Sequence, residues 1–594
     1  MSNLMLNLNV LKERFSHVAH KFASFETSLE EDTFTYIERV ERDHEWLQAV
    51  RESVESTGCI FIYGFAQGLA IADLLEMYPD RLLYVYEPDV HQFYKTIVNY
   101  DLRDLLNHRN LYYIGIGEDQ LNAVFYMAAV HMQQTLAFVA LRYYLEQEMD
   151  VLRGIKSKFE EFQVTYDSNL KTHQFFKEDW VRNGLYQMAD MLSSTPIESL
   201  RNVFPNSTAV VVASGPSLKA DIEWIKRLYP HALILSAGSS IQALVKHGIQ
   251  PHIAVTLDGG PINGKVFSDP RTLETPLLYA STSYYEITDR KTDHKIHAVM
   301  SNDEVSQYFM EIDKAQTALS PTPTVTGTAI QAAVWMGARR IIMMGQDLSF
   351  PGGQFYADGV EHIDDEKIAS LVEKAPHKVP NVQGSYNQAS DSFIFMKVSL
   401  ENLFEALPGI EFINSTRYGA VLEGTTWMPV EEVYELIRDR EFDANQVAGI
   451  FNSEIDRVDQ DSIHRVKEKI INTMEDLTGM KAELSVLRKK INTIRELSRI
   501  KPAKCQRTIA EIETAWSDIV FREWFATIYE IVLPLEIAHF DQHQPLIAME
   551  QNLIRKADLI HNHLGSLVNQ IESKIPMLKT VFEESVRRID AINM

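Results

Sequence analysis

The chain has 594 residues, 45% of them hydrophobic and 23% charged, and a formal net charge of −25. These are globular proportions, and the negative field argues against nonspecific DNA or RNA binding. It admits an anionic small substrate only where a local site supplies dipoles or cations. Two cysteines, Cys59 and Cys505, exclude a disulfide framework and suit a reducing compartment. The opening MSNLMLNLNVLKERF has no basic leader before a long apolar core. No stretch reaches ~18 uncharged apolar residues. The expectation is a cytoplasmic chain with no secretory signal and no membrane span. At roughly 100–200 residues per domain, the length points to three or so domains.

Residues 1–57 read as helices, with Leu4, Leu8, Leu11 and Phe15 three or four apart. Residues 58–200 follow a Rossmann-like pattern. Cys59 to Tyr63 is a strand, Gly64 and Gly68 punctuate the turn, and a helix runs through Leu75. Leu82 to Tyr86 is a second strand ending in Glu87-Pro88-Asp89, and Leu111 to Ile114 a third. A glycine turn with an acid after strand two suits a nucleotide or methyl donor. Gly64-x-x-x-Gly68 is not the full dinucleotide fingerprint, so a degenerate domain used for packing fits as well. A helical linker containing Val151 to His173 leads onward.

The central domain, residues 201–424, is organised around Ala209 to Leu218, AVVVASGPSL. A buried apolar strand turns at Ser214-Gly215-Pro216-Ser217 into a helix through Tyr229. Pro216 is tolerated in a first helical turn, Ser217 can cap, and the unpaired N–H groups there form an anion site. The same turn also suits an ordinary βα connection. Further strands are expected at Ala232 to Ser236, Ile253 to Leu257, Leu277 to Ala280, Ile296 to Met300 and Arg340 to Met344. Helices of about 10–15 residues alternate with them, as in a parallel α/β sheet. Their carboxyl ends carry Gly238-Ser239, Asp258-Gly259-Gly260, Ser281-Thr282 and Gly345-Gln346-Asp347. Polar residues recur there at the edge where open α/β sheets bind ligands. Thr326-Gly327-Thr328 adds a hydroxyl-rich helix start. Residues 350–390 are polar and suit a lid or a plain surface excursion, and Ser390 to Leu407 reads as a closing helix.

From Ile463 to Ile494 apolar residues recur every three or four positions, a long amphipathic helix ended by Lys501-Pro502. Two or three more helices should follow. Residues 425–594 therefore form an all-α domain, either scaffold or a partner-binding arm and a route to a homo-oligomer. The chain lacks GxxxxGK[ST] and HExxH. Asp459-Gln460-Asp461 sits at a helix start, not a strand end, and Asp364-Asp365 lies in polar sequence, so both read as solvated. Spacing cannot choose among His252, His294, His362 and His377 as bases.

ASGPSL, LDGG, the run TVTGTAIQAAVWMGARRIIMMGQDLSF and the FYADG after it resemble the motility-associated factor proteins, bacterial glycosyltransferases linked to flagellin modification. The resemblance is specific over Asn202 to about Gly424. The flanking Rossmann-like and helical regions suit the same three-part layout. The central domain is also similar to the bacterial CMP-sialic acid sialyltransferases. That similarity places their G-N-G-P-S-L turn on Ser214, Gly215, Pro216, Ser217 and Leu218, with Ser214 in place of the Asn. It places a donor-contacting Asn on Asp258 and a hydroxyl–Gly pair that contacts the donor carboxylate on Thr326-Gly327. The G-x-D falls on Gly345-Gln346-Asp347 and one phosphate-contacting Tyr near Tyr356. Ser349 stands where the second Tyr falls, and Gln388-Ala389-Ser390 where the catalytic His would.

What the resemblance implies is transfer of a nonulosonic acid (pseudaminic or legionaminic type) from its CMP-activated form to Ser or Thr hydroxyls of flagellin, with inversion. No metal or cofactor is expected, because hydroxyls and helix N-termini can hold one leaving phosphate. The candidate catalytic residues are Asp258, His362 and His377. The candidate donor-binding residues are Ser214, Gly215, Pro216, Ser217, Gly238, Ser239, Gly259, Thr326, Gly327, Thr328, Asp347 and Tyr356. The expected fold class is α/β: a Rossmann-like N-terminal domain, a doubly wound sialyltransferase-like central domain and an all-α C-terminal domain. Two other readings stand beside it. One is an ATP- and Mg²⁺-dependent pterin-type pyrophosphokinase, with Asp258 and Asp347 as metal ligands. The other is a non-catalytic flagellin-binding scaffold, against which the polar strand ends argue.

Overall fold

Short runs of β-branched and aromatic residues form strands wherever both of their faces are covered, and the helices between them lie on those faces. A computed structural model of the chain describes residues 2–23, 43–54, 57–131, 136–360, 372–452 and 460–592. The chain divides into two compact units. The first comprises residues 1–175, 485–516 and 533–571, and the second residues 176–484, 517–532 and 572–594.

In the first unit, β1 (Cys59–Tyr63), β2 (Leu82–Glu87), β3 (Leu111–Ile116) and β4 (Leu136–Ala140) make a four-stranded parallel sheet in the order β3-β2-β1-β4. The fourth strand was not expected from the sequence. It ends the crossover that places β4 beside β1, so the strand order reverses between β1 and β4. The core includes Ile60, Phe61 and Ile62 of β1 and Leu83 to Val85 of β2, all fully buried.

The second unit holds a nine-stranded parallel sheet. Its strands are β5 (Thr195–Pro196), β6 (Thr208–Val212), β7 (Leu233–Ala237), β8 (Ile253–Thr256), β9 (Leu277–Ala280), β10 (Lys295–Ala298), β11 (Arg340–Met344), β14 (Glu411–Asn414) and β15 (Thr426–Trp427). Between the last three, β12 (His377–Pro380) and β13 (Tyr386–Ala389) form a separate antiparallel hairpin. The sheet order is β15-β14-β11-β6-β7-β8-β9-β10-β5. The chain runs outward from β6 through β10 and returns to place β11 on the other side of β6, so the switch point lies between β6 and β11. One face buries Ala209, Val211, Leu235, Val255 and Ile341. The other buries Val210, Val212, Ile234 and Ile342. Alternate residues of single strands thus serve two cores, which is why these strands are apolar throughout. The fold class is α/β with parallel sheets, as the alternation of strands and helices implied, together with a helical C-terminal region.

The helices Gln460–Ile500 and Leu553–Ile592 are 41 and 40 residues long. Between them lie Pro502–Val520, Glu523–Val532 and Pro534–Met549. These helices are shared between the two units. Within the second unit, Arg522 bonds Glu483 and the Trp524 indole bonds Asp476 at 2.8 Å. No helix among the described residues is long and apolar enough to cross a membrane.

Candidate functional site

Open α/β sheets bind ligands outside the carboxyl ends of their strands where the strand order reverses. At the β6–β11 switch point there is a crevice of about 270 Å³. Its floor is the strand ends: Ala213 to Gly215 after β6, Ala237 to Ser239 at β7, Leu257 and Asp258 after β8, and Gly345 to Ser349 after β11. Thr324 to Thr326 at the start of the helix Val325–Trp335 form one wall. Phe355, Tyr356, Phe393 and Met396 form an aromatic and apolar one. Phe350, Phe355 and Phe393 pack with ring centroids 4.9–5.6 Å apart.

The Gly215 turn has a geometry that the sequence did not reveal. The Asp347 carboxylate accepts the Ser217 N–H at 2.9 Å and also the Ser217 hydroxyl. The Ser217 oxygen in turn accepts the Tyr418 N–H at 2.9 Å. The protein's own acid therefore takes the Ser217 N–H that was expected to face an anion. Gly215 is required for this arrangement, because a Cβ there would lie 2.2 Å from Asp347 Oδ2 and 2.6 Å from Gly345 O. Burial raises the Asp347 pKa to about 6, against the lowering effect of the Ser217 bonds.

Other hydroxyls remain on the crevice. Ser239 Oγ donates to Ser214 Oγ at 2.9 Å. Thr326 Oγ1 donates to Gln346 Oε1 at 2.6 Å, and the Gln346 N–H donates to Thr416 Oγ1 at 3.1 Å. Asp258 is solvent-accessible inside the crevice yet surrounded by protein on most sides. Desolvation there raises its pKa. Its backbone is fixed from two directions. The Asn263 amide donates to Thr256 Oγ1 at 2.7 Å and to the Asp258 carbonyl at 2.8 Å, and the Tyr284 N–H donates to the Asp258 carbonyl at 3.0 Å. Burial, and secondarily the Asp258 charge, push the Tyr356 phenol up to about 12, so it stays protonated at neutral pH.

The crevice thus gathers Ser214, Gly215, Gly238, Ser239, Asp258, Thr326, Asp347 and Tyr356. Pro216, Ser217, Gly259, Gly327 and Thr328 do not line it. The Gly327 N–H donates to Thr324 Oγ1, which caps the helix, and Thr328 bonds Thr322 at 3.1 Å. His377 lies exposed on β12, with Nε2 2.6 Å from Asp391. His362 lies outside the described residues, as do Asp364, Asp365 and Asp459. His252 is a core residue: it accepts the Ile234 N–H at 2.9 Å and stacks on Tyr229, and burial lowers its pKa to about 4. His294 packs against Phe451. No Lys, Arg or His lines the crevice among the described residues.

Asn263, Phe355, Phe393 and Met396 were not anticipated as site residues. Asn263 had one local signal: it lies in the first turn after Gly260-Pro261, where a side chain reaches back to the preceding strand. Phe393 and Met396 are three apart on the helix Asp391–Glu405, which presents them together.

A polar crevice at the switch point of a doubly wound parallel sheet is the place where proteins of this α/β class bind ligands. Comparison with known proteins narrows the fold. The solved structure of the MAf glycosyltransferase from Magnetospirillum magneticum AMB-1 superposes with a TM-score of 0.57, covering 99% of this chain and 98% of that one at 15% identity. The two share a fold along their whole lengths. The family model of the 6-hydroxymethylpterin diphosphokinase MptE-like proteins matches residues 182–353. An uncharacterized protein of Treponema pallidum (strain Nichols) is 25% identical over 167 residues, 27% of this chain and 56% of that protein. The chain therefore spans little more than half the length of that relative.

Proposed function

We propose that the chain is a glycosyltransferase that moves a nonulosonic acid from its CMP-activated form to Ser or Thr hydroxyls of flagellin, with inversion and without a metal ion. The observation that carries this reading is Asp258, a carboxylate of raised pKa at the bottom of a hydroxyl-lined crevice, on a fold shared end to end with a MAf glycosyltransferase. A general base works best when its pKa is lifted towards the operating pH. Asp258 takes the proton of the acceptor hydroxyl as that oxygen attacks the anomeric carbon. The bond to the CMP oxygen breaks on the opposite side, and CMP leaves with the electron pair. The protonated Tyr356 and the hydroxyls of Ser214 and Ser239 are the donors to the departing phosphate. The aromatic wall of Phe355 and Phe393 excludes water from that side.

The MptE-like match supports a second reading, an ATP-dependent pyrophosphokinase. Its Mg²⁺ needs carboxylate oxygens. Asp258 faces the crevice, but both Asp347 oxygens are engaged by Ser217. That favours the transferase.

Calorimetric titration with CMP, without and then with Mg²⁺ and with ADP as the control, separates the two. Saturable CMP binding without metal is expected, and ADP binding only with Mg²⁺ would replace the transferase by the kinase. Absence of any nucleotide binding would leave the scaffold. In Asp258→Asn, intact-mass assays of flagellin should show transfer reduced by about 10²–10⁴-fold while CMP still binds. Unchanged turnover would remove Asp258 from the chemistry.

A further inference from the structure

Away from the crevice, in the first unit, three histidines converge. His539 and His543 lie four apart on the helix Pro534–Met549, so they share one face. His563 reaches the same point from the helix Leu553–Ile592. One ring nitrogen of each lies within 4.8 Å of the other two. The rings are packed together, with centroids 4.4 Å apart for His539 and His543, 3.9 Å for His543 and His563, and 5.5 Å for His539 and His563.

We propose that His539, His543 and His563 bind a transition-metal ion, with Zn²⁺ the ion their chemistry suits, and that the metal clips these two helices together. Three imidazoles and an open fourth position form a familiar donor set for zinc. His543 is already oriented for the role. Its Nδ1–H donates to the carbonyl of His539 at 2.7 Å, which fixes the tautomer and leaves Nε2 as the ligand.

At ~2.0–2.1 Å per Zn–N bond, tetrahedral ligation brings nitrogens to about 3.4 Å from one another. The rings must therefore close by roughly an ångström and turn out of their stack. His539 is exposed and the other two are half-buried, so side-chain rotation supplies the movement. The site also lies where a clip has an effect. Pro545, two residues after His543, interrupts the hydrogen-bond ladder of its helix, and a metal bridge to the neighbouring helix holds that weakened turn in place.

The test uses the full-length chain, stripped by dialysis against a chelator and titrated with Zn²⁺ in competition with a chromophoric chelator, followed by elemental analysis after desalting. One equivalent of Zn²⁺ per chain is expected. His539→Ala, His543→Ala and His563→Ala should each weaken binding by about tenfold or more. His464→Ala, at an exposed histidine outside the cluster, should leave it unchanged. Failure to retain zinc, or equal binding in the triple variant, would overturn the site. Co²⁺ titration of the unaltered chain gives a readout that does not depend on a variant folding. Strong visible bands of a four-coordinate nitrogen site are expected, and the pale spectrum of the hydrated ion would overturn the proposal.

Discussion

Both parallel sheets of the molecule reverse their strand order once at a glycine turn, and among the described residues the side chains that meet the two turns differ in kind. In the small sheet the switch point lies between β1 and β4. Gly64 follows β1 with φ +103°, and Leu141 and Tyr144 follow β4. Tyr144 covers Gly64 so closely that a Cβ there would lie 2.5 Å from its ring. Its hydroxyl donates to Glu87 at 2.8 Å, and Glu87 accepts the Phe65 N–H at 2.7 Å. Glu87 is the acid after strand two in the pattern that suited a nucleotide or methyl donor, and here it is fully buried among the protein's own donors. In the large sheet Asp347 satisfies the turn in the same way, yet a crevice of about 270 Å³ remains beside it. Topology places a site at a switch point, and the side chains arriving after the returning strand decide whether it stays open. Among the described residues a bulky Tyr-and-Leu pair packs onto the first turn, and the short Gly345-Gln346-Asp347 leaves a crevice beside the second.

The loss of turnover in Asp258→Asn is the largest effect this contrast predicts, and its counterpart is that no substitution at Glu87 should abolish transfer. Next in size are the two glycines. Gly215→Ala and Gly64→Ala should each destabilise the chain by about 1–3 kcal/mol, because the new methyl meets Asp347 or Tyr144 in a packed interior. Urea denaturation measures this. CMP affinity at the working temperature should fall in Gly215→Ala only, and equal losses in both would break the contrast.

The pH dependence comes third. Burial raises the Glu87 pKa from 4.5 to about 7. The folded state then binds this proton more tightly than the unfolded one, so the contribution of Glu87 to stability is complete below pH 4.5 and is lost as pH rises towards 7, by at most about 1.4 kcal/mol per pH unit. Glu87→Gln should flatten the thermal-melting profile over that range, and an unchanged slope would show that Glu87 is not the group responsible. The smallest effect is Ser239→Ala. Loss of one hydroxyl from the crevice should weaken CMP binding by about 0.5–1.5 kcal/mol and leave the melting temperature within a degree or two of the unaltered chain.

Much of the fold was legible in the residues. Cys59–Tyr63, Leu277–Ala280 and Arg340–Met344 fall where their apolar runs placed them, because a strand covered on both faces must be apolar at every position. The helix from Gln460 to Ile500 follows from residues recurring every three or four positions, since that spacing lines one face. The polar strand ends were legible too, as local turn chemistry. Strand β4 and the β12–β13 hairpin were not. The first is an apolar run set between the helices Leu121–His131 and Arg142–Gln147, whose sequence it continues without a turn signal, and the second is exposed and carries no apolar alternation.

What the sequence determined by itself was the alternation of strands and helices and the set of small polar residues at strand ends, both of which are local properties of a few neighbouring residues. What only the tertiary structure decided was the use of those residues. That Asp347 turns onto Ser217, 130 positions away, that Tyr144 packs onto the Gly64 turn while Asp258 faces a crevice, and that His563 meets His539 and His543 all depend on contacts between separate segments of the chain. No local pattern encodes such contacts, because they arise only when burying the apolar faces brings the strands and helices together.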